Sequence, residues 1–421
     1  LPFFLLLVVL TWYWTNRLSG ELTATVAIFF LVTQPTILAH AGLATTDLPM
    51  VAMSMWSLLS FVLWLENPTP LRSIILGIST GLAFMTKFSA IPFLAVSFLA
   101  VMLYRWLLDP PSWNPLRLAM PVCLRLILLS LVFLFFSAWA VFGFSWSYYP
   151  QSIPAVLAEG PAVISLPTVI TATMGGIAQV VEHNQMGHRA FLLGEQSQHG
   201  WWYFFPVSIM VKTTIPLLIC SAIGFATALR KGRARKDWTV AAPGIIALSI
   251  LTISMMANIN IGVRHVLLVF PLLTIQAAIG VQWLLSLGKR ILAGRVAVAL
   301  LLTWQGTSTL AAHPNYLAWF NGLAGPHPER VLIDSDLDWG QDLNRLGSEL
   351  LARDIEYVAI AYNGAAWLDR HDLPPNFALE PGKPVTGWVA ISLLSRELNE
   401  GHHWLKDIQA ETRVGKSIDL Y

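Results

Sequence analysis

Charge is scarce in this 421-residue sequence: charged residues make up 12% of it, against 55% hydrophobic. Together with a mean hydropathy of +0.61, that scarcity excludes an ordinary soluble domain. Cysteine is scarcer still. Cys123 and Cys220 both lie inside apolar runs, so neither a disulfide framework nor a cysteine-based metal site is expected. There is no glycine-rich phosphate loop, internal repeat or low-complexity tract, and a net charge of +2 singles out no partner class; no nucleic-acid partner is expected. The first residue, Leu1, already stands within an apolar run, with no Met and no charged leader before it. The expectation is a sequence whose first segment has been lost.

What is abundant is apolar sequence. Runs long enough, or nearly so, to span a bilayer occur at about 2–15, 22–39, 49–65, 73–86, 90–108, 119–146, 204–229, 239–257, 265–286 and 291–310. The fold class expected is an α-helical polytopic membrane protein with about ten transmembrane helices. Several of the eighteen tryptophans stand at span ends, as in interfacial aromatic belts. Arg17, Arg72, Arg105, Arg117, Arg125, the basic cluster at 230–236 and the cations at 289–295 all sort to one face. By the positive-inside rule that face is cytoplasmic. The other face then carries Asp47, Lys87, the loop 147–203, residues 258–265 and everything after about 312. Two domains follow: a transmembrane domain over 1–311 and an extracytoplasmic α/β domain over 312–421.

Asp47 lies in His40-Ala-Gly-Leu-Ala-Thr-Thr-Asp-Leu-Pro, between two apolar runs. A carboxylate there is either a helix cap, with Pro49 in the first turn, or a working group at the watery edge of the bilayer. Lys87 and Arg264 are cations against the positive-inside trend. Each is either a snorkelling anchor or part of an anion site, the obvious anion at that level being a lipid phosphate. The loop 147–203 is interrupted by Pro150, Pro154, Pro161 and Pro167, which suits helices lying on the membrane surface. It gathers Glu182, His183, His188, Arg189, Glu195 and His199, whose spacing matches no zinc pattern; no metal site is assigned, and a divalent metal cofactor stays unsupported.

The tail reads as strands at 330–334, 357–362 and 387–392, with helices at 341–353 and 394–408. Its acidic stretch Asp334-Ser-Asp-Leu-Asp-Trp-Gly-Gln-Asp is not an EF-hand, since Arg345 stands at the twelfth position. Asp338 or Asp342 is expected to cap the helix that follows. An acid, two cations and a membrane-level setting suit group transfer from a lipid phosphate: the acid takes a proton and the cations stabilise the departing phosphate. A transporter or a non-catalytic protein that binds lipid-linked sugars is the alternative.

The motifs also look familiar. Ala39-His-Ala-Gly-Leu-Ala-Thr-Thr-Asp-Leu-Pro, Gly81-Leu-Ala-Phe-Met-Thr-Lys, Gly200-Trp-Trp-Tyr-Phe-Phe-Pro, Val211-Lys-Thr-Thr-Ile-Pro and Asn260-Ile-Gly-Val-Arg-His resemble bacterial relatives of the dolichyl-phosphate-mannose protein mannosyltransferases. So do Tyr316-Leu-Ala-Trp-Phe-Asn-Gly and the acidic stretch from Asp334. The resemblance implies a GT-C-type glycosyltransferase. Such an enzyme moves a sugar from a polyprenyl-phosphate donor to an acceptor hydroxyl on protein, lipid or glycan, by inverting displacement. In a bacterium it would sit in the inner membrane, with its active site facing the periplasm. Asp47 matches the Asp of the family's second external loop, Lys87 the Lys after its Gly-Leu-Ala run, and Arg264 the Arg at the mouth of a late span. Lys87 and Arg264 are thus expected on donor phosphate. Glu182, His183, His188, Lys212 and Asn258 are weaker candidates for the substrate cavity. The family's principal acid belongs to a first external loop that would precede Leu1, so Asp47 is expected to be a supporting carboxylate.

Overall fold

The computed structural model describes residues 1–108, 113–148, 165–287, 291–362, 364 and 366–421. Fifteen α-helices occur among them: α1 Pro2–Ser19, α2 Glu21–Val32, α3 Pro35–Ala41, α4 Asp47–Glu66, α5 Pro70–Thr86, α6 Ala90–Leu108, α7 Trp113–Val141, α8 Thr168–Met186, α9 Phe204–Lys212, α10 Ile215–Arg235, α11 Ala242–Ser254, α12 Val269–Leu285, α13 Ile291–Ala312, α14 Leu343–Ala352 and α15 Leu393–Leu398. Nine short strands accompany them: β1 Trp146–Tyr148, β2 Ser165–Pro167, β3 Ala190–Leu192, β4 Glu195–Ser197, β5 Val358–Ala361, β6 Asn376–Ala378, β7 Trp388–Ser392, β8 Thr412–Val414 and β9 Ile418–Leu420. The chain forms two compact units. One comprises Leu1–Met186, Thr214–Met256 and His265–Ala311; the other Gly187–Thr213, Ala257–Arg264 and Ala312–Tyr421.

The first unit is helical. All ten apolar runs contain helix, and fewer than ten of them form a single long apolar helix. Among the described residues five helices (α4, α6, the 124–141 part of α7, α10 and α13) are long and apolar enough to cross a membrane, or six if the bent pair α2 and α3 is one span. The chain is accordingly an integral membrane protein. Helix breaks account for the difference. Pro35 separates α2 from α3 with a 68° bend. The run at 204–229 is interrupted at Thr213 and Thr214, ahead of Pro216. Helices α5, α11 and α12 have 17, 13 and 17 residues. Each is shorter than those five helices.

Packing in this unit relies on small residues and on polar groups that repair the breaks. Gly77 and Gly81 stand one turn apart on α5, and a Cβ at either would come within 2.5 Å of α7 atoms. Gly224 and Gly280 allow α10 and α12 the same approach. Where α2 stops, Gln305 of α13 donates to the Thr33 carbonyl at 3.0 Å and to Thr33 Oγ1 at 3.2 Å, and Thr309 Oγ1 donates to the same carbonyl. Thr214 Oγ1 meets Gln305 Oε1, and the Thr214 N–H donates to Gln34 Oε1 at 3.3 Å. Removing these donors strands a buried helix-end carbonyl. Gln305→Leu is expected to cost about 1–3 kcal/mol, read as a lower thermal midpoint of the detergent-solubilised chain. An unchanged midpoint would mean that Thr309 alone suffices for the Thr33 carbonyl.

Three of the cations sorted to one face by sequence, Arg17, Arg72 and Arg105, lie at common helix ends. Arg17 pairs with Glu66 at 2.5 Å, Arg72 donates to the Leu63 and Asn67 carbonyls, and Arg105 donates to the Leu65 carbonyl at 2.6 Å. These lie at the ends of α1, α4 and α6 and the start of α5. Asp47 and Lys87 lie at the opposite ends of α4 and α5.

The second unit holds a five-stranded mixed sheet in the order β6-β5-β7-β9-β8. Strand β5 pairs in parallel with both β6 and β7, and β9 runs antiparallel to β7 and β8. Leu343, Leu346 and Leu350 of α14, at helical spacing, pack on Val358, Ile360 and Leu420. The strand expected at 330–334 is absent. Pro328–Arg330 and Asp334–Asp336 are single 3-10 turns, and Leu332 and Ile333 are buried without pairing in a sheet. The helix expected at 394–408 is the short α15 followed by a 3-10 segment, Glu400–Asp407. Nor does Asp342 cap α14 with its side chain. Its carboxylate instead accepts from the Lys416 and Ser417 N–H groups and from Ser417 Oγ, holding the turn before β9.

Candidate functional site

In the first unit, the turn after α3 delivers Asp47 to the first position of α4 with 1% of its side chain exposed. Helix α5 ends at Thr86, and the extended backbone of Lys87 turns its side chain back along the same end of the bundle. Lys87 Nζ donates to Asp47 Oδ1 at 2.6 Å, across 40 residues of sequence. Contact between α4 and α5, including a 2.7 Å hydroxyl bridge from Ser57 to Thr80, fixes the two helix ends beside each other. The lysine side chain is 22% exposed. The arrangement is a buried carboxylate held by an ammonium with three donors, only one of which this bond uses.

The second unit brings together motifs far apart in sequence. Asn260 Oδ1 accepts from the Trp201 N–H at 2.7 Å, and a Cβ at Gly200 (φ 64°) would strike this asparagine. Gly262 (φ 151°) lets the chain pass over Ser335, whose Oγ donates to the Ile261 carbonyl. Arg264 Nε donates to Ser335 Oγ at 3.1 Å, and its guanidinium lies 5.0 Å from the Trp339 ring centroid. Asp336 Oδ1 accepts from the Val263 N–H at 3.0 Å. Lys212, 2% exposed, donates to the carbonyls of Leu317, Trp319 and Asp336 at 2.7, 2.9 and 2.6 Å and sits over the Phe320 ring.

Burial governs the acids here. It pushes Asp334 and Asp338 up to about 6, against the Ser335 and Gly340 N–H groups that favour their charged forms. Asp336 is also raised by burial, with Lys212 opposing. A carboxyl whose folded pKa exceeds its unfolded one is favoured by protonation, so its stabilising contribution is lost as pH rises from about 4 through about 6. Asp338→Asn is therefore expected to gain up to about 3 kcal/mol over the parent chain near pH 7.5, shrinking towards zero near pH 4. Thermal unfolding at both pH values checks this; an advantage independent of pH would exclude titration as its cause.

The predicted candidates thus fall into separate groups. Asp47 and Lys87 form one pair in the first unit. Glu182 and His183 are exposed on α8 of that unit, whereas His188, Lys212, Asn258 and Arg264 belong to the second. Lys212 departs most from expectation: its donors go to backbone carbonyls rather than outward. Pro150, Pro154 and Pro161 of the predicted surface loop lie outside the described residues. Asn260, Ser335 and Asp336 were not singled out in sequence as site residues. The only signal for them was the repeated presence of polar residues in the quoted motifs.

Two solved structures are similar to this chain. ArnT from Cupriavidus metallidurans bound to undecaprenyl phosphate is 14% identical, with 100% of this chain and 82% of that one covered, at a TM-score of 0.48. Archaeal oligosaccharyltransferase AglB from Archaeoglobus fulgidus, in complex with an inhibitory peptide and a dolichol-phosphate, is 13% identical, with 97% and 60% covered, at a TM-score of 0.41. No curated protein matches. Residues 3–142, a segment that carries both Asp47 and Lys87, match the family model described as dolichyl-phosphate-mannose-protein mannosyltransferase.

Proposed function

We propose that the protein is a membrane glycosyltransferase that moves a sugar from a polyprenyl-phosphate donor to an acceptor hydroxyl on the external face, by inverting displacement. The observation that carries this reading is the Asp47–Lys87 pair, set at the helix ends opposite the Arg17, Glu66, Arg72 and Arg105 cluster within the family-matching segment. An ammonium that holds a carboxylate with one donor has others to offer a phosphate oxygen, and stabilising charge on the departing phosphate is the larger part of such catalysis. Asp47 orients the acceptor or assists a base. Within the second unit Arg264 is a candidate cation for donor phosphate, with His188 and Asn258 candidates for hydroxyl contacts; Glu182 and His183 are such candidates in the first unit. By positive-inside sorting, the cytoplasmic end is the one bearing Arg17 and Arg105, which places Asp47 on the periplasmic side in a bacterium. Transport is less well supported, because few charges fall inside the apolar runs.

The test is transfer of a labelled sugar from polyprenyl phosphate by the chain reconstituted in vesicles, with sugar flux followed in parallel. Transfer without flux supports the reading; flux without transfer replaces it with a carrier. Arg264→Ala is expected to weaken donor binding about tenfold or more, as loss of a charge-assisted contact does. Unaltered donor affinity would leave Arg264 to its bonds with Ser335 and Trp339.

A further inference from the structure

The sheet of the second unit contains an arrangement that the transfer reading does not use. In the order β6-β5-β7 the chain leaves β5 to one side and then returns across it to the other. In open parallel sheets, ligands bind outside the carboxyl ends of strands at such a reversal. A crevice of about 630 Å³ lies at that position, within the range of small-molecule sites. Its walls include Ile360, Ala361 and Tyr362 at the end of β5, Ala378 and Leu379 at the end of β6, and Ser395 after β7.

The polar lining is mixed and nearly balanced. Arg189 and Asp334 offset each other in charge, and His188, Ser395, Asn399 and His402 add donors and acceptors. His402 is the most informative of these. It is 3% exposed, and its Nε2 lies 3.2 Å from the Leu379 carbonyl, so this nitrogen carries the proton. Nδ1 is then an acceptor, and it has no hydrogen-bond partner among the described residues. Buried polar atoms are ordinarily satisfied, so an orphan beside a cavity points to a ligand.

The lining also narrows the ligand class. A phosphate would need a helix N-terminus or several cations; α15 has six residues, and the one arginine already donates to the Leu398 carbonyl at 2.5 Å. Among the described residues no three His, Cys, Asp or Glu side chains gather as metal ligands. A neutral polyol fits better. Its hydroxyls both donate and accept, its C–H face suits the Tyr362 ring and the aliphatic walls, and it tolerates a balanced charge.

We propose that this crevice is a carbohydrate-binding subsite that takes a neutral pyranoside. The proposal concerns binding and stands whether or not the protein transfers sugar. Two sources share this chemistry: a glycan acceptor and the sugar of a lipid-linked donor. The experiment is saturation-transfer NMR on the full chain in sugar-free nanodiscs, with methyl pyranosides and neutral disaccharides as probes. Saturation should reach the sugars and fall about tenfold in His402→Gln, the loss expected when a site built to bond a hydroxyl is altered. Gln keeps a donor for Leu379. Tyr362→Leu, at a half-buried position, should show the same loss and decides the matter if His402→Gln does not fold. Displacement by a polyprenyl-phosphate sugar would identify the donor as the source, and displacement by longer neutral oligosaccharides an acceptor. No saturation, equal saturation in parent and both folded variants, or binding confined to sugar phosphates would overturn the proposal.

Discussion

Lys212→Met is expected to destabilise the second unit by about 3–5 kcal/mol, the usual cost of removing one partner from a buried charged network. The ammonium lies outside the membrane-spanning helices and is fully enclosed, with its three donors directed at three carbonyls. Burial pulls its pKa down to about 8, while the Asp336 carboxylate works to raise it. It therefore stays charged at neutral pH, as three acceptors around one nitrogen require. Met fills the volume but leaves the Leu317, Trp319 and Asp336 carbonyls without this donor, and Asp336 without its cation. Arg should not rescue the variant, because a planar fork cannot direct three N–H bonds from a single point. Denaturant unfolding of the solubilised chain, together with proteolysis of the tail, would measure the effect. A loss below about 1 kcal/mol would show that water or a neighbour replaces the ammonium.

Lys212 also marks the boundary of what could be read from sequence. Apolar length found the helices, because a run of fifteen or more apolar residues has few other uses. It did not register the helix breaks at Gln34 and Thr214, because the hydrogen bonds of Thr214 to Gln34 and Gln305 leave no mark on sequence periodicity. In the tail, β5, β7 and α14 were legible: the strands are compact β-branched and aliphatic runs, and Leu343, Leu346 and Leu350 repeat at helical spacing. The strand expected around Val331, Leu332 and Ile333 was not there. Three apolar residues bury equally well in an unpaired segment, as Ile333 does against Phe191, Leu337 and Leu393. The second unit is discontinuous, and its joins are made by contacts between distant turns, such as Asn260 with Trp201 and Asp336 with Val263. No local pattern encodes which distant turn an aspartate will serve. The acidic stretch from Asp334 therefore read as helix capping, while the structure uses it to hold the 260–264 turn and the Lys416 turn. Asp47 and Lys87 were legible as charges set apart from Arg17, Arg72 and Arg105, and their pairing needed the structure.

That pair carries the largest expected effect on activity. If Asp47 serves the reacting acceptor and Lys87 the donor phosphate, their single variants separate in kind. Asp47→Asn should retain donor binding and lose transfer by a factor of about a hundred to ten thousand, the range for removing a group that handles the proton. Lys87→Ala should weaken donor binding and also lower stability, since it removes the cation from a carboxylate that is 1% exposed. A purely structural ion pair predicts something different: both variants lose stability alike and any loss of transfer follows the folded fraction. The swap Asp47→Lys with Lys87→Asp distinguishes the two accounts. It restores opposite charges across the 2.6 Å contact, so much of the stability should return, but it exchanges the acid and the cation between the ends of α4 and α5. Recovery of the thermal midpoint without recovery of transfer places the pair in the reaction. Recovery of both would show that only the attraction between the charges matters, and the general-base and phosphate roles would have to be given to other residues.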